Sequence, residues 1–77
     1  MYQQMKYFIA VVEQHSFTKA AVECNISQSA ISQQIKELEN TVGVELITRK
    51  GRSFELTEAG KYFYQHAQKI VEEVEQL

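Results

Sequence analysis

The stretch Asn25-Ile26-Ser27-Gln28-Ser29-Ala30-Ile31-Ser32-Gln33-Gln34-Ile35 decides the fold of this chain. It contains no charge and no proline, and small hydroxyls and amides alternate with Ile and Ala. Ser27 is a suitable N-cap, because its hydroxyl can accept from a free backbone N–H of the first helical turn. The spacing predicts a helix that ends at Gly43, a usual residue just beyond a helix. Four apolar residues recur along one face of it: Ile31, Ile35, Leu38 and Val42.

The opposite face of this helix is polar and nearly uncharged. Ser, Gln and Asn side chains bind base edges in the major groove, and Gln pairs with adenine through both ends of its amide. An ordinary solvated helix face is the alternative. We interpret the segment as a DNA recognition helix. The base-reading candidates are Gln28, Ser29, Ser32 and Gln33, and the backbone-contact candidates beside them are Ser27 and Lys36.

Two further helices are predicted before this one. Residues 3–14 carry apolar side chains at one-face helical spacing. A short helix follows over residues 18–24, capped by either Ser16 or Thr18, and its small Ala20 and Ala21 allow another helix to approach closely. Thr18 is a further backbone-contact candidate: it caps the helix, contacts a phosphate, or does both. The turn after Cys24 has the length that a helix-turn-helix uses, which places that motif at about residues 18–37.

The periodicity changes after Gly43. Two short strands are predicted, in which Val44, Leu46 and Thr48 alternate with Glu45 and Ile47, and Phe54 and Leu56 alternate with Ser53 and Glu55. They form a β wing at about residues 45–56. The tip carries Arg49, Lys50 and Arg52 around Gly51, and we expect these cations to contact phosphates or the minor groove rather than to be ordinary loop charges.

A long helix is predicted from Thr57 to the last residue, with Glu58 in its first turn, where the helix dipole favours an acid. The chain has little left to cover its apolar seam, so a second copy is the expected partner; packing on the chain's own domain is the alternative, especially for the first turns. The predicted fold is mainly α: a winged helix-turn-helix over residues 1–57, with a three-helix core and a two-stranded wing, and a dimerising linker helix over residues 58–77. The dimer seam comprises Phe63, Ala67, Ile70, Val74 and Leu77.

The net charge of -2 over 77 residues does not favour binding to nucleic acid. Its distribution weakens that objection, because residues 1–71 hold eight Lys and Arg against seven acids and the surplus comes from Glu72, Glu73 and Glu75. No apolar run approaches the roughly 20 residues of a membrane span, and no leader precedes the domain, so we expect a cytoplasmic protein without a membrane partner.

Catalytic and metal chemistry lack support. His15 and His66 lie on different elements without acidic or thiol neighbours at metal spacing, and Cys24 has no second cysteine to pair with. There is no glycine-rich phosphate loop, no apolar carboxylate pair and no glycine-flanked serine nucleophile. We therefore predict no catalytic residue, no metal and no cofactor. The remaining alternative to DNA binding is a winged-helix module that binds another protein.

The chain closely resembles the N-terminal DNA-binding domain of LysR-type transcriptional regulators. The resemblance rests on Phe8, Ser16-Phe17-Thr18-Lys19-Ala20-Ala21, residues 26–35, Leu38-Glu39, Gly43-Val44-Glu45-Leu46, Arg49-Lys50-Gly51-Arg52 and Leu56-Thr57-Glu58-Ala59-Gly60. It implies a third helix in the major groove, a wing on the backbone or minor groove, and a dimer on an inverted-repeat operator. It also implies a small-molecule effector domain that follows the linker and is absent from this sequence.

Three positions depart from the family pattern. Ser29 stands where proline is common, which reduces rigidity at the start of the helix. Gln33 stands where arginine is common, and a neutral amide favours adenine over guanine or phosphate. Cys24 occupies a position usually filled by leucine, which indicates a buried and inert thiol.

Overall fold

The computed structural model describes residues 1–77 and consists of four helices and one two-stranded antiparallel sheet. It confirms the predicted mainly α fold. The elements in chain order are α1 (Tyr2–Gln14), α2 (Phe17–Cys24), α3 (Gln28–Val42), β1 (Ile47–Lys50), β2 (Ser53–Leu56) and α4 (Glu58–Glu75). No helix combines the length and apolar character needed to cross a membrane.

Hydroxyl caps fix where three of the helices begin. The Ser16 hydroxyl accepts from the Lys19 N–H at 3.0 Å, so α2 begins at Phe17, one residue earlier than predicted, and Ser16 rather than Thr18 is its cap. Ser27 caps α3 as predicted, at 3.1 Å from the Ala30 nitrogen. Thr57 caps α4 in the same way. Each cap satisfies a backbone donor that has no partner inside the helix.

Left-handed residues end the first three helices. Asn25 closes α2 at φ 64°, and Gly43 closes α3 at φ 82°, both as their residue types indicate. His15 closes α1 at φ 51°. The sharp stop at Asn25 turns the chain from α2 into α3 and creates the helix-turn-helix.

One apolar core joins all the elements. Its largest fully buried side chains come from α1, α3 and the segment before the wing: Phe8, Val11, Ile31, Leu38 and Leu46. Ala20 and Ala21 let α2 approach its neighbours, as predicted, since both are buried. Cys24 is only half-buried, although burial still raises the pKa of its thiol.

The predicted alternation of the first wing strand is wrong. Leu46 and Ile47 are both buried, whereas Val44 is 48% exposed, and β1 begins only at Ile47. The cause is a tertiary contact: the Glu39 carboxylate on α3 accepts the backbone N–H groups of Leu46 at 2.7 Å and Ile47 at 3.1 Å. The chain is therefore held against α3 before it enters the sheet. In the sheet, Ile47 pairs with Leu56 at one end and Lys50 pairs with Ser53 at the other, next to the two-residue loop of Gly51 and Arg52.

α4 is three residues shorter than predicted, because Thr57 is its cap and it ends at Glu75 rather than Leu77. It lies along α1, where the Phe63 ring meets Phe8 edge-on at 5.7 Å between centroids. At its far end, Glu75 accepts from Lys6 at 3.2 Å and from Tyr2 at 3.0 Å. The hydrogen bond with Lys6, followed by that with Tyr2, holds the pKa of the Glu75 carboxyl below its usual range.

Candidate nucleic-acid interface

The polar face of α3 lies opposite the buried face that holds Ile31, Ile35 and Leu38. Of the predicted base-reading residues, Ser32 is half-buried and the other three are exposed. Lys36 continues the same face and is exposed as well. The first two turns of α3 therefore present a continuous uncharged surface, and Lys36 adds one cation in the next turn. The predicted base-reading residues on this surface are Gln28, Ser29, Ser32 and Gln33.

The beginnings of α2 and α3 are joined by side-chain contacts. The Thr18 hydroxyl donates to the Gln28 side-chain carbonyl at 2.9 Å. The Ser27 hydroxyl, which caps α3, lies 3.3 Å from the Ser29 hydroxyl. The side-chain amide of Gln33 forms no hydrogen bond within the chain. The two glutamines of the polar face therefore differ: the carbonyl oxygen of Gln28 already accepts a hydrogen bond, whereas both the oxygen and the nitrogen of the Gln33 amide are free to bind a ligand.

The three wing cations have different surroundings. The Arg49 guanidinium lies over the Phe17 ring at 4.2 Å from its centroid, a cation–π contact. Phe17 is itself held edge-on against Phe54 of β2 at 5.3 Å. Lys50 forms an ion pair with Glu55 at 3.0 Å. Arg52 has no ion pair, so its whole charge is available to an anion.

Two open grooves bring these residues together. One lies between α3 and β1 and is lined by Ser32, Gln33, Lys36, Thr48 and Arg49, with Glu39 and Glu45 also in its wall. The other lies between the start of α2 and the wing and is lined by His15, Thr18, Gln28, Arg49 and Arg52. Arg49 lines both grooves. The polar face of α3 and the wing cations are consequently parts of one surface.

The predicted dimer seam divides along the length of α4 into a part packed on the chain's own core and an exposed part. Ala67 is 1% exposed and Phe63 packs on Phe8, so both face the chain's own core. Ile70 is 44% exposed, Val74 42%, and Leu77 lies beyond the helix and is fully exposed. The surface that remains for a partner begins at Ile70.

Two groups of residues at or near this surface were not predicted from the sequence. The rings of Tyr62 and His66 lie in tilted contact on the exposed side of α4, with 4.3 Å between their centroids. Their spacing of four continues through Ile70 and Val74, and this pattern is visible in the sequence. Phe17, which supports Arg49, and Glu39, which anchors the wing, act through contacts between elements. No local pattern identifies those two contacts.

Together, a helix-turn-helix, a polar helix face and a basic β wing on one surface define a winged helix-turn-helix domain of the DNA-binding class. Residues 2–61 match the family described as bacterial regulatory helix-turn-helix protein, lysR family. The chain belongs to this family.

Relatives of known name agree with this membership. The HTH-type transcriptional regulator BenM of Acinetobacter baylyi is 44% identical over 73 residues, which cover 95% of this chain and 24% of that protein. The chain thus spans about a quarter of the length of that relative.

Solved structures agree as well. The crystal structure of the BenM DBD with benA site 1 DNA superposes with a TM-score of 0.93 at 42% identity, covering 99% of this chain and 85% of that one. The CbnR DBD–DNA complex gives a TM-score of 0.93 at 39% identity, covering 99% and 87% of the two chains.

Proposed function

We propose that this chain is the sequence-specific, double-stranded-DNA-binding part of a bacterial LysR-type transcription regulator. The observation that carries the proposal is the single surface on which the uncharged face of α3 adjoins the cations of the wing. The similarity to two chains crystallised with DNA supports it.

The proposed division of labour follows from side-chain chemistry. Neutral amides and hydroxyls discriminate base edges through directed hydrogen bonds, which is the role of the four base-reading residues. Cations neutralise phosphates and supply affinity that is independent of sequence. That role belongs to Lys36, Arg49, Lys50 and Arg52, with the Ser27 hydroxyl beside them. Within the wing, Arg49 and Arg52 carry a larger share than Lys50, because Lys50 alone is paired with an acid, Glu55.

The acid surplus is compatible with this role because of where it lies. Glu75 is paired with Lys6 at the far end of α4, and Glu72 and Glu73 belong to the same last turns of that helix. The grooves beside α3 hold only Glu39 and Glu45, and the Glu39 carboxylate is occupied by two backbone donors. Local charge at the interface decides the electrostatic attraction.

The active form is proposed to be a homodimer in which the exposed apolar residues of α4 meet their counterparts in a second copy. A two-fold axis would then place two α3 helices on an inverted repeat, with half-sites about 34 Å apart or a multiple of that distance. Residues 1–57 form the reading unit and residues 58–77 the linker in this proposal. Any response to a small-molecule effector belongs to the rest of the regulator.

Fluorescence anisotropy with a labelled duplex of random sequence tests DNA binding directly. Binding should weaken steeply between about 50 and 200 mM salt, because several phosphates release counterions. A folded dimer that does not bind duplex DNA at low salt would instead favour a module that binds another protein. Replacing both Arg49 and Arg52 by alanine is the matched loss-of-binding control.

A further inference from the structure

The two glutamines on the polar face of α3 are not equivalent. The side-chain carbonyl of Gln28 accepts the Thr18 hydroxyl proton at 2.9 Å, which turns that oxygen towards α2. The amide nitrogen at the other end of Gln28 has no partner within the chain. Gln33, five residues further along, has both ends of its amide free.

The hydroxyl of Thr18 has one proton to give. A phosphate oxygen is only an acceptor, so Thr18 cannot donate to DNA while it donates to Gln28. Thr18 is also exposed and does not cap α2, since Ser16 does. The hydrogen bond to Gln28 is therefore the only one that the Thr18 hydroxyl donates in the structure.

The preferred base depends on whether the glutamine amide presents only its N–H donors or both its donors and its carbonyl acceptor. Adenine presents one acceptor and one donor in the major groove and needs both ends of a glutamine amide, whereas guanine presents two acceptors, N7 and O6. The carbonyl oxygen of Gln28 keeps a second lone pair, but its hydrogen bond to Thr18 directs that oxygen towards α2, so the amide presents its N–H donors to a base edge. Those donors match guanine and oppose the amino group of adenine.

We propose that Thr18 is a positioning residue that fixes the amide of Gln28 as a donor and thereby sets guanine as its preferred base. Gln33, which lacks such a partner, keeps the adenine preference of a free amide. The inference rests on the proposed function, because it assumes that α3 lies in the major groove. It assigns opposite base preferences to two identical side chains on one helix.

Binding-site selection from a random duplex library tests the assignment. The position under Gln28 is identified as the one whose preference Gln28→Ala abolishes. There the unmodified chain should enrich guanine. Thr18→Val keeps the shape but removes the proton, and the preference should move towards adenine by about fivefold or more. Thr18→Ser restores the donor and should restore guanine, while the Gln33 position stays unchanged throughout.

Three outcomes would overturn the inference. Adenine under Gln28 in the unmodified chain would mean that the carbonyl is free to accept. A Thr18→Val chain that binds all sequences more weakly with unchanged preferences would make Thr18 a phosphate contact. No DNA binding by the unmodified, folded chain would remove the proposed function together with this inference, whereas the first two outcomes leave that function intact.

Discussion

The Glu39 carboxylate on α3 accepts the backbone N–H of Leu46 at 2.7 Å and so ties α3 to the base of the wing. The same oxygen also accepts from Ile47 at 3.1 Å. One side chain thus fixes how far the wing cations stand from the polar face of α3. The relative placement of the two parts of the interface depends on this contact.

Removing that carboxylate should destabilise the fold. Glu39→Ala leaves the N–H groups of two buried residues without their acceptor, at a cost of about 1–3 kcal/mol. Glu39→Gln keeps one acceptor oxygen and should cost less. Urea denaturation measures both. Glu37→Ala, at an exposed position whose side chain has no partner, should change stability by less than about 0.5 kcal/mol; an equal loss there would refute the specific role of Glu39.

Position 60 is predicted not to tolerate any residue larger than glycine. The backbone of Leu46 lies so close that a Cβ on Gly60 would collide with its carbonyl oxygen. Gly60→Ala should therefore lower stability by about 1–3 kcal/mol despite the better helix propensity of alanine. Gly51→Ala meets no neighbouring atom and should cost only the left-handed strain of about 1–2 kcal/mol. Unchanged thermal stability of Gly60→Ala would contradict the packing of α4 on Leu46.

Glu75 should make a small, pH-dependent contribution to stability. Its hydrogen bonds with Lys6 and Tyr2 lower the folded-state pKa of the carboxyl. The contribution is therefore fully present above the ordinary glutamate pKa of about 4.3 and is lost as the pH falls through the lower folded-state pKa. Melting temperatures of Glu75→Gln and the unmodified chain should differ near pH 7 and converge in acid. Glu73→Gln, without an ion pair, should show no such trend.

The wing cations should differ in their effect on salt dependence. Arg52→Ala should weaken binding to all sequences alike and reduce the slope of log K against log salt by about 1, because one phosphate contact is lost. Lys50→Ala should have a smaller effect, since Glu55 already pairs with it. Gln28→Ala should mainly erode specificity and leave the slope unchanged. Identical behaviour of Arg52→Ala and Gln28→Ala would refute the division of labour.

The exposed end of α4 should control dimerisation. Ile70→Glu places a charge on the only face of the helix that the core leaves apolar, and sedimentation equilibrium should show a shift to monomer. Gln65→Glu adds the same charge at another exposed position of α4 and should leave the dimer intact. A monomeric unmodified chain, or a dimeric Ile70→Glu variant, would require a different interface.

The helix-turn-helix could be predicted from local signals alone. Ser27 and Gly43 mark the ends of α3 through capping chemistry, and the spacing of Ile31, Ile35 and Leu38 gives its buried face. These features depend on residues within a few positions of one another. The structure confirms each of them.

The errors arose where one element acts on another. The start of β1 is set by Glu39, seven residues before Leu46, so an alternating pattern could not locate it. The seam on α4 is continuous in sequence, but in the structure Ala67 is buried and Ile70 is exposed. The orientation of Gln28 likewise depends on Thr18, ten residues away on another helix. Tertiary contacts of this kind produce no periodic pattern in the sequence.

The most direct test of the central claim compares the affinity of the chain for its selected duplex with that for a scrambled duplex of equal composition, at several salt concentrations. If α3 binds base edges and the wing binds phosphates, both complexes should weaken with salt in parallel. The selected site should nevertheless be bound more tightly throughout, by about 1–3 kcal/mol for each changed base pair. Equal affinity for the two duplexes at every salt concentration would contradict sequence-specific binding by α3.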